Sequence, residues 1–196
     1  MNTSENNNPK KSLILYGLGH ELDILINLYN LKKLPKVLML SGKKGVGKFT
    51  LINHFLNYVY DKDNYDLKNR SINNEGLFYK QYQNNIFSNI IYHSGHDLKN
   101  VRIQDIRDLK ANILKSTISK KERFIILDDV ELFNLNSLNA LLKIIEEPSL
   151  NNYFILINNK TKTLIDTIYS RCLEIKILLN NEKRLKIITR IIKTLE

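Results

Sequence analysis

Val37-Leu38-Met39-Leu40-Ser41-Gly42-Lys43-Lys44-Gly45-Val46-Gly47-Lys48-Phe49-Thr50 runs from an apolar segment through a glycine-dense turn into a stretch with apolar residues at helical spacing. The chain holds 7 glycines, and Gly42, Gly45 and Gly47 all fall in this one turn. Strand, glycine turn, lysine and helix in that order form the pattern of a phosphate-binding loop. Glycine lets the backbone turn so that successive N–H groups face a phosphate chain at a helix start. The candidate cradle is Gly42, Lys44, Gly45, Val46, Gly47, Lys48, Phe49 and Thr50, with Lys48 reaching the β and γ phosphates of a nucleotide. An ordinary glycine-rich turn would explain the glycines but not the lysine or the helix. The pattern departs at Phe49, where a Ser or Thr is expected to hold Mg²⁺. Thr50 does not replace it, because one residue further along a helix rotates the side chain by roughly 100°. Nucleotide binding is compatible with this change; metal-assisted hydrolysis is put in doubt.

Working outward, short apolar runs recur at 37–41, 89–93, 124–128, 153–157 and 173–177. Each has the length of a strand buried on both faces. Between them, 50–59, 103–114 and 138–145 carry apolar residues at steps of three and four. This alternation predicts an α/β fold, a five-stranded parallel sheet flanked by helices and joined by right-handed crossovers. The charged, Asn-rich segment 61–74 lacks periodicity and is expected to be a surface loop, partly disordered. The start, 1–12, is polar and reads as a frayed tail. The end, 181–196, reads as a helix with Leu185, Ile188, Ile192 and Leu195 on one face, expected to pack on its own domain.

The 196 residues suffice for one sizeable core, and at 43% hydrophobic and 26% charged they exclude disorder and collagen. One cysteine, Cys172, allows neither an internal disulfide nor a cysteine-based zinc site, and suggests a reducing, cytoplasmic setting. No apolar run approaches the ~20 residues of a membrane span. The net charge of +10 permits attraction to nucleic acid, although the joint abundance of Lys, Asn and Ile is also what an AT-rich coding sequence gives.

Arg123-Phe124-Ile125-Ile126-Leu127-Asp128-Asp129 ends a buried strand in two carboxylates, where a phosphate-loop protein carries the acid that holds Mg²⁺. Asp128 is the candidate metal ligand and Asp129 the residue that would orient an attacking water. A pair of helix-capping acids is the structural alternative.

From Leu127-Asp128-Asp129-Val130-Glu131-Leu132-Phe133, through Asn139-Ala140-Leu141-Leu142-Lys143-Ile144-Ile145-Glu146-Glu147-Pro148, to Ser170-Arg171-Cys172, the chain resembles the AAA+ clamp-loader family. Within it, the resemblance is strongest to the delta-prime type of bacterial DNA polymerase III, a branch that need not hydrolyse ATP. Asp129 departs from the Glu usual in hydrolysing members and is shorter by one methylene. The resemblance implies that Arg171 acts in trans, as an arginine finger on a neighbouring subunit's nucleotide. Asn158 resembles the polar residue that helps place water or the γ-phosphate, with Asn159 as the fallback. ATP and Mg²⁺ are the implied cofactors, zinc is not expected, and Gly19-His20-Glu21 resembles the family's entry segment. Implied partners are motor and delta-type clamp-loader subunits, the sliding clamp and primed double-stranded DNA, with no membrane. Lys99, Arg102 and Arg107 are the weak DNA-contact candidates; each also reads as a solvated surface charge. Against such a subunit, 13–178 is the ATPase-like domain and 179–196 the first lid helix, with the rest of the lid and the collar domain absent. An active motor subunit of gamma or tau type is the alternative.

Overall fold

The computed structural model describes residues 9–95, 106, 108 and 122–195. They divide into two compact units, the described residues within 9–34, 45–86 and 177–195 forming the first and those within 35–44 and 87–176 the second.

The second unit is built on five parallel strands in the order β4 (Ile90–Ser94), β5 (Arg123–Asp128), β6 (Asn152–Asn158), β1 (Val37–Ser41), β7 (Leu173–Lys176). The three inner strands are buried almost throughout and the two edge strands are largely half-exposed, as their apolar content requires. The expected sheet is therefore present, with strand bounds shifted by a residue at most. The register pairs Ser41 with Asn158 and Ser94 with Asp128, so the carboxyl ends of the strands lie level. Helix Leu135–Ile145, here α4, starts on an Asn134 side chain that accepts from the Ser137 N–H at 2.9 Å. Its Leu138, Leu141, Ile144 and Ile145 enter a core with Met39, Ile125, Leu127, Phe154, Leu156 and Ile168. The last belongs to a short helix, α5 (Asp166–Tyr169).

The first unit holds α1 (Gly19–Asn30), α2 (Lys48–Tyr60), α3 (Leu77–Gln83) and α6 (Asn181–Leu195). Helix α2 is embedded, burying Leu51, Ile52, Phe55 and Leu56 together with the polar Asn53, His54 and Asn57. The segment 61–74, expected to be a loop, instead holds a small antiparallel hairpin of β2 (Tyr65–Asp66) and β3 (Ser71–Ile72). Tyr65 and Ile72 are buried, Asp66 Oδ1 accepts the N–H groups of Lys68 and Asn69 across the turn, and Arg70 makes a two-pronged pair with Asp23 at 2.8 and 2.9 Å. The expected fraying of the start is corrected in part as well. Pro9–Lys11 form a 3₁₀ turn whose Lys10 carbonyl accepts from Asn53, and the Lys10 ammonium lies 4.1 Å from the centre of the Tyr82 ring. The terminal helix is present, but Leu185, Ile188 and Ile192 are exposed (65%, 50% and 52%) and do not pack as expected. Of the stretch 103–114, Ile106 and Asp108 alone are described.

Candidate functional site

The chain passes from the second unit to the first between Lys44 and Gly45, within the glycine loop. Gly45 and Gly47 take φ of 82° and 88°, the left-handed region that glycine alone enters freely. A Cβ on Gly45 would meet nothing within 4 Å, so the conformation and not crowding calls for glycine there. Gly47 is the N-cap residue of α2. Lys48 is buried, while Phe49 and Thr50 are half-buried in the first turn. Phe49 brings no oxygen ligand to the start of α2.

The polar cluster of the second unit lies at the level strand ends. Asp128 accepts from the Tyr92 hydroxyl at 3.2 Å and from the Asp129 N–H at 2.8 Å. Burial, and then the neighbouring Asp129 charge, push its carboxyl above the usual range despite these bonds. Asp129 adopts φ 50° and ψ 42°, left-handed for a residue with a side chain. That turn aims its carboxylate at Asn159, whose amide donates at 2.6 Å to Asp129 and at 3.4 Å to Asp128. Lys44 Nζ lies 3.9 Å from the same Asp129 oxygen.

Asn158, the residue matched to the placing of water or γ-phosphate, bonds groups other than these two carboxylates. Its amide donates to the Tyr169 hydroxyl at 2.8 Å, its side-chain oxygen accepts the Lys160 N–H, and its carbonyl accepts the Gly42 N–H at 3.1 Å. Asn159 is the residue on the carboxylates. Strand β6 continues through Asn158, and successive side chains point in opposite directions along a strand.

Glu131, which sequence reasoning left without a role, organises this turn. Buried, it accepts from the Asn159 N–H at 3.1 Å and from the Thr161 hydroxyl at 2.9 Å. The signal in the sequence was a third acid just past the strand end, Asp128-Asp129-Val130-Glu131.

Arg171 follows α5 and is part-exposed. Its guanidinium bonds Glu146 through Nε at 2.9 Å and the Thr167 carbonyl through Nη1 at 2.9 Å. Cys172 donates to the Ile168 carbonyl at 3.2 Å; burial, and then Glu174, push its thiol up to about 11, so it is an inert helix-end group. Lys99, Arg102 and Arg107 lie outside the described residues. Among the described residues no helix is long and apolar enough to cross a membrane.

A family model described as DNA polymerase III, delta subunit, matches residues 19–181. The chain is 34% identical over 76 residues to the DNA polymerase III subunit delta' of Pseudomonas aeruginosa, covering 39% of this chain and 23% of that protein. It is 24% identical over 181 residues to the DNA polymerase III subunit gamma of Buchnera aphidicola subsp. Acyrthosiphon pisum, covering 87% and 46%. The chain thus spans less than half the length of these curated relatives. Among solved structures, a DNA polymerase III gamma subunit-related protein of Thermotoga maritima aligns with a TM-score of 0.59 at 20% identity, over 82% of this chain and 47% of the other. The Holliday junction branch migration motor RuvB of the same organism aligns with a TM-score of 0.59 at 16% identity, over 96% and 55%. At such identities the structural likeness establishes the fold, that of the AAA+ proteins. With the family model matching well over half its length, the chain belongs to the DNA polymerase III delta subunit family, the delta-prime-like clamp-loader subunits.

Proposed function

We propose that this chain is a delta-prime-type clamp-loader subunit that helps place the sliding clamp on primed double-stranded DNA. It hydrolyses little or no ATP itself and supplies Arg171 to the nucleotide of a neighbouring motor subunit. The observation that carries this reading is Phe49, an apolar ring where the loop needs a hydroxyl on Mg²⁺. Asp129 adds to it, being short and already engaged by Asn159 and Lys44.

ATP, where bound, would lie in the loop Gly42 to Thr50 with Lys48 at its phosphates, and Asp128 is the carboxylate offered to Mg²⁺. A bound nucleotide would supply negative charge that holds the loop. Asn159 keeps Asp129 fixed, and Asn158 joins the loop through Gly42. In trans, a guanidinium at developing phosphoryl charge is worth about 10³ to 10⁵ in rate. The partners are the motor and delta-type subunits, the clamp and the DNA backbone, with Lys99, Arg102 and Arg107 as the candidate contacts to the last. The setting is cytoplasmic, at replication forks.

The test reconstitutes the complex with motor subunits that carry intact phosphate-loop motifs and measures clamp- and DNA-stimulated ATP hydrolysis with the native chain and with Arg171→Ala. Collapse of the rate with the variant supports the reading; an unchanged rate removes the finger. A motor reading is favoured by the alignment to a gamma subunit over 87% of the chain. Steady Mg²⁺-dependent turnover by the isolated chain would replace the first reading with that one.

A further inference from the structure

The Arg171 guanidinium is gripped by its own chain in an uneven way. Glu146 Oε1 accepts from Nε at 2.9 Å and from Nη2 at 2.5 Å. Nη1 donates to the Thr167 carbonyl at 2.9 Å and to Ser170 Oγ at 3.3 Å. A guanidinium carries five N–H donors in a rigid planar fork, two of them on Nη2. One Nη2 N–H is spent on Glu146, so the other is directed away from this grip. The Arg171 side chain is 34% exposed and that of Glu146 47%, so the pair lies at the surface.

Both partners are anchored in one core. Glu146 is the residue that ends α4, directly after the buried Ile144 and Ile145, and Thr167 precedes the buried Ile168 on α5. An exposed ion pair contributes about 0–1 kcal/mol to stability, so folding gains little from it. What it does fix is direction: a free arginine side chain carries about 2 kcal/mol of rotamer entropy, which a cation needed at one spot would otherwise lose at the moment of reaction.

We propose that Glu146 is a positioning residue for Arg171, holding the Nε edge so that the remaining Nη2 N–H is presented, already oriented, to the phosphate oxygens of a neighbouring subunit's nucleotide. The proposal rests on the reading of Arg171 as a trans-acting finger. It differs from a latch, in which Glu146 would occupy the guanidinium and have to let go.

The test uses the reconstituted complex, with Glu146→Gln, Glu146→Ala, Arg171→Ala and the Glu146→Ala/Arg171→Ala double variant in this chain, each checked for incorporation by gel filtration and for folding by thermal melt. Glutamine keeps an oxygen acceptor at Oε1 and loses the charge; alanine loses both. The expected result is a kcat for ATP hydrolysis about ten- to a hundredfold lower with Glu146→Ala, restored to within about twofold by Glu146→Gln, with KM for ATP unchanged. The double variant should be no slower than Arg171→Ala, because Glu146 acts only through Arg171. A native rate with Glu146→Ala while Arg171→Ala is slow overturns the positioning role and leaves the finger standing. Faster turnover with both Glu146 variants overturns it in favour of the latch. A native rate with Arg171→Ala overturns the underlying reading itself.

Discussion

Acid should weaken the first unit through His54, by an amount that can be worked from its surroundings. The ring is fully buried on α2, with Nε2 3.2 Å from the Ser12 carbonyl and Nδ1 3.0 Å from the Tyr65 hydroxyl. A carbonyl only accepts, so Nε2 carries the proton and Nδ1 accepts from Tyr65. A second proton would leave Nδ1 and the Tyr65 hydroxyl as two donors facing each other. Burial lowers the His54 value from 6.5 to about 4, while the Ser12 carbonyl pulls weakly the other way. Above pH 6.5 both folded and unfolded chains hold His54 neutral and nothing changes. As pH falls from 6.5 toward 4 the unfolded chain takes up a proton that the folded one refuses, and stability is lost across that window. At about 1.4 kcal/mol per pH unit the full loss is about 3 kcal/mol. Urea unfolding at a series of pH values, on the native chain and on His54→Gln, isolates the contribution. The native chain should lose stability more steeply over this window, the extra slope approaching one proton per molecule. Equal slopes, or an imidazole that titrates near 6.5 by NMR, would refute the reasoning.

Other consequences follow from the strand-end cluster and the loop. Phe49→Thr restores the missing hydroxyl and should make ATP binding tighter in the presence of Mg²⁺; calorimetry that finds no gain in Mg²⁺ dependence counts against the role given to that position. Tyr169→Phe strips the acceptor from the Asn158 amide, 1% exposed, and should destabilise by about 1–3 kcal/mol in urea unfolding. Glu131→Gln replaces a carboxylate that accepts from Asn159 and Thr161 with a group that must also donate, at about 1.5–3 kcal/mol, and should free the Asn159 amide. An unaltered Asn159 backbone amide NMR signal in that variant would argue against Glu131 as its organiser.

The parallel sheet was legible because Val37 to Ser41 and Phe124 to Asp128 are apolar on both faces and too short for helices. The glycine loop was legible because φ near 85° at Gly45 and Gly47 is paid for in residue type. Other features left no periodic trace. Hairpin strands of two residues, Tyr65–Asp66 and Ser71–Ile72, are too short to alternate, and their order comes from Tyr65 and Ile72 in the core and Arg70 on Asp23. Whether Asn158 or Asn159 meets the carboxylates depends on the parity with which β6 ends, which composition does not encode. Glu146 stood in a quoted motif without a role because its partner lies 25 residues further on. The spacing of Leu185, Ile188 and Ile192 marks a stripe on α6, but a stripe does not say what covers it.

The level strand ends have a consequence for how this sequence chooses its own structure. Inner strands that are apolar on both faces, as β1, β5 and β6 are, gain little from alternation: sliding one by a residue would still bury oil against oil. What resists the slide is the polar fringe, with Gly42 tied to Asn158, Asn159 to Asp128 and Asp129, and Glu131 to the turn beyond. The residues that resemble catalytic machinery thus also act as the index marks by which the strands find their alignment. Such residues cannot be exchanged for their chemistry alone, since erasing the marks would blur the fold as well.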